Sequence, residues 1–339
     1  MRWALKIAKL AGTLALVFLM MVWPGEALSA AQGAMRAWTA SVAPALFPFL
    51  ALLPALTGSE ARDAYERALG RAMRPLFRLP GRAAPALLIG MLAGSPAGAL
   101  AVERVSGGMR RGEARRLALM CAGVSPVYLI GMGEALFHSA AFGACLAAAQ
   151  AAAQLALGLA LRGRFASDAQ RLPDAPEVER DAPVRAAVAA VLQVCGYMVL
   201  FSVGAALVAR LAGGIAGDAL LYIADMPSGL DRAARRGAPL PLAAAVAGFG
   251  GLCIAAQNMA VLARLGVRWL DYIAARLAVA AACALAACAF PARSIAVAPA
   301  MQALETGALE SSTLGALLLL VPALLAVARG KNLRDDGNS

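Results

Sequence analysis

Long apolar segments recur along this chain, and short links rich in arginine separate them. Hydrophobic residues make up 61% of the 339 positions and charged residues only 15%, and the mean hydropathy is +0.71. A soluble domain carries about 25% charged residues and could not bury so much apolar side chain. The sequence therefore predicts an all-α, polytopic membrane protein.

Several apolar segments are interrupted near their middle by residues that disfavour a helix. The stretch LIGMLAGSPAGALAV, residues 88–102, carries Gly94, Ser95 and Pro96 at its centre. Similar interruptions follow at Ser125-Pro126, at Ser228-Gly229 and at Gly250-Gly251. In lipid, the backbone groups that a break sets free are tolerated only when they are buried in protein or line a wet cavity. The breaks are therefore candidate parts of a polar site at the membrane midplane.

Basic links flank the broken segment 83–103 on both sides. Residues 59–82 carry six arginines and residues 104–116 carry five. Because cytoplasmic loops are enriched in Lys and Arg, we expect both flanks on the cytoplasmic side and a re-entrant hairpin between them. A second hairpin is expected over 238–262. Charge favours the same side for both hairpins, whereas the inverted repeats of many transporters favour opposite sides.

The two halves of the chain share an order of parts: a span, a polar loop, a broken apolar segment, a basic link and another span. The parts cover 41–58, 59–82, 83–103, 104–116 and 117–138, then 186–209, 210–237, 238–262, 263–268 and 269–291. The predicted regions are a first span and link (1–37), a first repeat (38–161), a polar linker (162–185), a second repeat (186–291), and a last span with a polar tail (292–339). About eight transmembrane helices and two re-entrant or broken hairpins result. The first span is expected to stay uncleaved, although its basic start also fits a signal peptide.

Residue usage argues against several other classes of protein. Six cysteines lie in apolar stretches without a CxxC pair, and His138 is the only histidine. Neither a disulfide framework nor a metal site is expected. The net charge of +11 is spread over the links instead of forming a stripe on a soluble face, so no nucleic-acid partner is expected. With no nucleophile–base set visible, we expect no enzyme activity and no cofactor.

Five motifs together resemble a known family. They are LFPF, LLIGMLAGSPAGA, CAGVSPVYLIG, ADMPSGL and GFGGLCIAAQ, and they run from about residue 38 to about residue 290. They are similar to the sporulation integral membrane protein YlbJ family, whose members contain the nucleoside-recognition Gate domain of nucleoside and ferrous-iron transporters. The resemblance implies two Gate-like repeats. Cys253 stands where the family pattern implies serine, and Asp225 where it implies glutamate.

The resemblance implies a transporter or permease for a small polar anion. Members linked to spore formation, the stage V sporulation protein V group, are implicated in moving dipicolinic acid, so dipicolinate is the expected substrate. We expect alternating access around the broken helices in the cell membrane, which in a sporulating cell includes the outer forespore membrane, beside other sporulation membrane proteins. Two alternatives stay open: a nucleoside or nucleobase permease, and a spore-envelope assembly protein that transports nothing.

The candidate substrate-binding residues come from the breaks and from polar residues beside them, because helix N-termini and amide or hydroxyl groups bind anions. They are Gly94, Ser95, Pro96, Ser125, Pro126, Ser228, Gly229, Gly250, Gly251, Gln257 and Asn258. Asp225 is the candidate coupling carboxylate, since an ionisable residue in a membrane segment is functional by default. Asp225 could instead only cap the turn at Pro227. Gln257 and Asn258 could serve only interhelical hydrogen bonding.

Overall fold

The computed structural model describes residues 2–165, 168–173 and 183–290. The chain divides into two units, Met1–Ala300 and Met301–Ser339, and the second unit lies outside the described residues. The predicted region 292–339, with its last span, also lies there. Within the described ranges the chain is helical, with one isolated antiparallel bridge between Arg110 and Arg171.

Fifteen α-helices follow one another in the described ranges. They are α1 (Arg2–Val22), α2 (Pro24–Ala37), α3 (Ala43–Thr57), α4 (Ser59–Phe77), α5 (Ala84–Leu92), α6 (Ala97–Val105), α7 (Arg111–Met120), α8 (Pro126–Phe137), α9 (Ala140–Ala160), α10 (Pro183–Ala212), α11 (Gly214–Ala224), α12 (Met226–Arg235), α13 (Leu240–Phe249), α14 (Gly251–Leu262) and α15 (Trp269–Cys288).

Five segments are long and apolar enough to cross a bilayer, for which about 20 residues suffice. They are Pro24–Thr57, Ala140–Ala160, Pro183–Ala212, Leu240–Leu265 and Trp269–Cys288. The predicted all-α membrane protein is confirmed by these helices, while the count of about eight spans stays a prediction. The N-terminal run contributes a shorter apolar helix over Leu10–Val22.

The segment Pro24–Thr57 is irregular, as its prolines predict. A π-helical turn at Trp38–Val42 joins α2 to α3, and Pro48 and Pro54 lie inside α3. Each proline removes a backbone donor and so loosens the helix locally. The indole N–H of Trp38 donates to the carbonyl of Val191 at 3.0 Å, which fixes this segment against α10.

The two helices α5 and α6 fold back on each other and form hairpin 1, whose tip is Ala93–Pro96. Glycines allow the close approach of the two arms: a Cβ added at Gly98 would lie 2.7 Å from the Cα of Gly90. At the open end, Glu103 pairs with Arg264 at 3.2 Å. The charged groups of hairpin 1 therefore lie at its base and the small apolar residues along its arms.

A second pair of packed helices, α11 and α12, forms hairpin 2 with its tip at Asp225. Asp218 on α11 pairs across the base with Arg232 at 2.5 Å and with Arg236 at 3.2 Å. The sequence predicted a polar loop over 210–237 and the second hairpin over 238–262, and both predictions are wrong. The charges that suggested a loop pair with one another at the base and leave the rest of the hairpin apolar.

At the other two breaks the helices on either side do not fold back on each other as the arms of a hairpin do. The first break, Cys121–Ser125, joins α7 to α8, and the second break, at Gly250, joins α13 to α14. Helix α13 packs mainly on α15, whereas α14 packs on α6, α10 and α11. Because α14 packs on different helices from α13, the segment 238–262 is a broken span and not a hairpin.

The same order of parts occurs twice: a span, a hairpin, a broken span and a span. Glu26 near the start of Pro24–Thr57 pairs with Arg210 near the end of α10, so these two first spans run antiparallel. Hairpin 1 follows the end of α3, through α4, and hairpin 2 follows the end of α10. The bases of the two hairpins therefore lie at opposite ends of the helix bundle, which is the arrangement of an inverted repeat.

Candidate functional site

One partly open cavity lies between the tips of the two hairpins and beside the two breaks. Its polar lining comes from Ser95, Ser125, Tyr128, Asp225, Cys253 and Gln257. Apolar side chains of α3, α10 and α14 and of the residues around the first break complete the wall. The cavity offers about 60 Å³ to the centres of water molecules, which is room for several waters at about 10–15 Å³ each.

Asp225 is the charged residue of the lining and is only 1% exposed. Its Oδ2 accepts hydrogen bonds from the hydroxyl of Ser228 at 2.6 Å, the backbone N–H of Ser228 at 3.3 Å and the hydroxyl of Ser202 at 3.0 Å. Its Oδ1 is buried without a hydrogen bond of good geometry in the described chain, and the thiol of Cys253 also interacts with the carboxyl group. Asp225 therefore does cap α12, as one interpretation of the sequence held.

The tip of hairpin 1 is fixed against the first break. The backbone N–H of Ser95 donates to the carbonyl of Gly123 at 2.7 Å. The hydroxyl of Ser95 accepts from the side-chain amide of Asn258 at 2.7 Å, and the same amide nitrogen donates to the hydroxyl of Tyr272 at 2.7 Å. Asn258 is thus engaged in interhelical hydrogen bonds behind the cavity, the second interpretation given for it above.

Gln150 on α9 closes the backbone of the first break. Its amide oxygen accepts from the N–H of Val124 at 3.1 Å, and its amide nitrogen donates to the carbonyl of Val124 at 2.7 Å. Gln150 was not among the candidate residues. The signal for it is an amide side chain within the alanine-rich span 139–161, since a polar side chain at membrane depth needs a partner.

Arg276 on α15 forms hydrogen bonds with the backbone at the second break. Its guanidinium donates to the carbonyls of Gly248, in a very short contact, and of Phe249 at 3.2 Å. Arg276 is 1% exposed. One signal for it was not used in the candidate set: Arg276 is a basic residue well inside the predicted span 269–291, where ionisable residues are functional by default.

The candidate residues divide into two groups by position. Ser95, Ser125, Asp225 and Gln257 line the cavity. Gly94, Pro96, Pro126, Ser228, Gly229, Gly250, Gly251 and Asn258 shape or support the elements that form its wall. Gly251 illustrates the second group: a Cβ added there would lie 2.9 Å from the backbone nitrogen of Met226 at the tip of hairpin 2.

Four helices begin at this site. Helix α6 starts after the tip of hairpin 1, α8 after the first break, α12 after Asp225 and α14 after Gly250. Each helix N-terminus carries backbone N–H groups without intrahelical acceptors and the positive end of the helix dipole. The site therefore combines several positive helix ends with one carboxylate.

Comparison with known proteins fits this arrangement. A family profile described as "Gate: Nucleoside recognition" matches residues 39–214, just over half of the chain. The chain belongs to this family. The matched residues of this Gate protein include hairpin 1 and the first break, and the match ends where hairpin 2 begins. The resemblance seen in the sequence motifs is confirmed.

The Gate protein is also 32% identical over 152 residues to the sporulation integral membrane protein YlbJ of Bacillus subtilis (strain 168). That match covers 44% of this chain and 37% of the curated relative, so the matched part spans well under half of that protein's length. No solved structure matches the chain. The apolar helices and the similarity to this integral membrane protein together indicate an integral membrane protein.

Proposed function

We propose that the protein is a permease that carries a small polar anion across the membrane by alternating access. The observation that carries this proposal is the meeting of four helix N-termini, those of α6, α8, α12 and α14, around one partly open cavity. Transporters bind anionic groups at such half-helix ends near the midplane. Membership of the Gate family supports a permease-like role.

Both hairpins are proposed to be re-entrant, in a protein of about eight spans. Their bases carry ion pairs, such as Asp218 with Arg232, which suits the membrane surface. Their tips reach the cavity, where irregular backbone is tolerated because it is enclosed by protein. Since the two bases lie at opposite ends of the bundle, hairpin 1 and hairpin 2 would enter from opposite faces and open the site alternately.

Dipicolinate is the proposed substrate, on the strength of the family resemblance and of its chemistry. It is a small planar dianion, and its carboxylates suit helix N-termini. The carboxylate of Asp225 would repel it at this short range. We therefore propose that Asp225 holds a proton when the anion is bound, so that a proton travels with the substrate. The site of action would be the cell membrane of a sporulating cell, specifically the outer forespore membrane, beside other sporulation membrane proteins.

A nucleoside is the second candidate substrate, and a different observation supports it. Tyr128 and Gln257 both line the cavity, and an aromatic ring with an amide is a suitable set for a nucleobase. An ionised Asp225 could then accept a hydrogen bond from the base or the ribose through its Oδ1. The two candidates thus differ in the protonation state that they require of Asp225.

Uptake into proteoliposomes tests the proposal. Labelled dipicolinate should enter saturably when the outside is acidic, and Asp225→Asn should abolish this accumulation because it removes the titrating group. Asp231→Asn is the matched control, since Asp231 lies on the same helix but pairs with Arg235 in an exposed ion pair. It should transport like the unaltered protein.

The other outcomes of this experiment separate the alternatives. Uptake of uridine instead of dipicolinate would favour the nucleoside permease. Dipicolinate uptake that persists in Asp225→Asn would keep the permease and overturn the coupling role. Uptake of neither compound, by protein shown to be folded, would contradict transport and favour an assembly role in the spore envelope.

A further inference from the structure

Arg276 is a buried cation held without a carboxylate. Among the described residues no acidic side chain lies within 4.0 Å of its guanidinium. Its Nε and Nη2 donate to the carbonyls of Phe249 and Gly248, and Nη2 also lies 3.5 Å from the amide oxygen of Gln150. A buried charge of this kind is costly unless the surroundings compensate it.

The end of α13 supplies that compensation. Gly248 and Phe249 are the last residues of this helix, and the last carbonyls of a helix have no intrahelical donors. They also form the negative end of the helix dipole, which favours a cation within the last turn. The guanidinium therefore occupies a position that is built, by its oxygens and its dipole, to hold positive charge.

The first break shows that a neutral side chain is sufficient to hydrogen-bond the backbone of a break. There the neutral amide of Gln150 closes the backbone of Val124 from α9, the span that corresponds to α15 in the repeat. At the second break the guanidinium keeps a spare donor, since its Nη1 has no partner in the described chain. The feature that distinguishes the second break is thus the positive charge itself.

Carbonyl oxygens at helix breaks are also what transporters use to hold a coupling Na⁺. We propose that Arg276 is a built-in cation that takes the place of an alkali metal ion at the second break, and that it makes this protein independent of Na⁺ and K⁺ at that break. The proposal goes beyond the identity of the substrate and does not depend on it. Arg276 acts here as a positioning residue for the end of α13.

Thermal unfolding of the purified full chain in detergent tests the proposal without any substrate. The protein is compared with Arg276→Ala in NaCl, KCl and choline chloride at equal ionic strength. The unaltered protein should have the same Tm in all three salts. Arg276→Ala should lose several degrees in choline chloride, and Na⁺ or K⁺ should restore Tm with the logarithm of its concentration, as binding to the folded state requires.

Two controls keep the result specific. Met259→Ala truncates a buried apolar side chain of α14, so it should lower Tm equally in the three salts. If Arg276→Ala does not fold, Arg276→Lys and Arg276→Gln replace it. The proposal then expects the Lys variant to fold with a Tm that does not depend on the cation, and the Gln variant to need Na⁺ or K⁺.

Several results would overturn the proposal. They are a Na⁺- or K⁺-dependent Tm in the unaltered protein, an Arg276→Ala variant that is as stable as the unaltered protein in choline chloride, and a loss of Tm that neither ion restores. In the second set of variants, a Gln variant that is stable in choline chloride, or a Lys variant that fails to fold, would equally exclude a role for the charge.

Discussion

At the scale of single residues, the tip of hairpin 1 depends on the absence of a side chain at Gly94. Its φ is +69°, in the left-handed region that residues with a Cβ rarely adopt. A Cβ added there would lie 2.3 Å from the backbone nitrogen of Ser125. Two backbones therefore touch where hairpin 1 meets the first break, and this contact sets the position of Ser95 in the cavity.

Gly94→Ala is expected to destabilise the protein by several kcal/mol, or to prevent its folding, because the methyl group would displace the first break. The comparison is Gly131→Ala on α8, where an added Cβ meets nothing within 4 Å and alanine is the better helix former by about 1 kcal/mol. Thermal unfolding in detergent measures both variants. Equal Tm values for the two variants would show that the tip is not tightly packed.

Four of the six polar residues that line the cavity could be predicted from the sequence, but Tyr128, Cys253 and the contacts that support the cavity could not. Ser95, Ser125, Asp225 and Gln257 stand out because each is polar in an apolar segment and lies close to a break. The acceptors of Arg276 lie 27 and 28 positions away in the chain. No local pattern relates residues at such a separation, so the closure of the second break became visible only in the fold.

At the scale of single elements, α4 is a helix with one apolar and one charged face. Gly70, Met73 and Phe77 are buried along one side. On the polar side, the carboxylate of Glu66 accepts from the guanidinium of Arg74 at 2.5 Å and from the backbone N–H of Arg82 at 2.8 Å. Glu66 thereby joins α4 to the start of hairpin 1.

This contact makes part of the stability depend on pH. The hydrogen bond from Arg74 is the main cause that holds the pKa of Glu66 below its ordinary value. A carboxylate with a lowered pKa contributes stability that is fully present above its unfolded pKa, about 4.3, and is lost as the pH falls through the folded value. The contribution is modest, since Arg74 is largely exposed.

Glu66→Gln should therefore lower Tm at pH 7, and the difference from the unaltered protein should shrink as the pH falls below about 4. Glu60→Gln, at an exposed position in the first turn of the same helix, should follow the unaltered protein throughout. Unfolding measured in detergent from neutral to acidic pH gives both profiles. A difference for Glu66→Gln that stays constant with pH would contradict the role of the charge.

The charged residues of hairpin 2 explain why the sequence predicted a polar loop over 210–237. Besides Asp225, four charged residues fall between 218 and 235, namely Asp218, Asp231, Arg232 and Arg235, and charge density of this kind indicates a loop. The fold brings Asp218 opposite Arg232, fourteen residues later, so that the charges neutralise one another at one end of two short helices. A pairing of this kind requires the turn at Asp225. The sequence predicted a break three residues later, at Ser228-Gly229, and that prediction is wrong because both residues lie inside α12.

At the scale of the whole molecule, the composition was sufficient to predict the class of protein, whereas the repeat pattern placed the second hairpin one segment too late in the chain. The orientation of the second repeat could not be predicted, because arginines occur at both ends of the bundle. Arg264 pairs with Glu103 at the base of hairpin 1, whereas Arg236 pairs with Asp218 at the base of hairpin 2. A count of basic residues cannot tell which end of the bundle each of these pairs occupies. The antiparallel course of α3 and α10 assigns them to opposite ends.

The central claim is that the two hairpins enter the membrane from opposite faces around one site, and labelling of single cysteines tests it most directly. In a variant without the six native cysteines, Arg110→Cys, Arg236→Cys and Arg264→Cys are treated with a membrane-impermeant maleimide in right-side-out and in inside-out vesicles. Arg110, Arg236 and Arg264 all have exposed side chains, at 56%, 52% and 73%.

The account predicts that the cysteines at positions 110 and 264 react from one face of the membrane and the cysteine at position 236 reacts from the other. Such a result would place hairpin 1 and hairpin 2 on opposite faces and would make residues 238–262 a crossing. Labelling of all three positions from the same face would contradict the inverted repeat and, with it, alternating access through the cavity at Asp225.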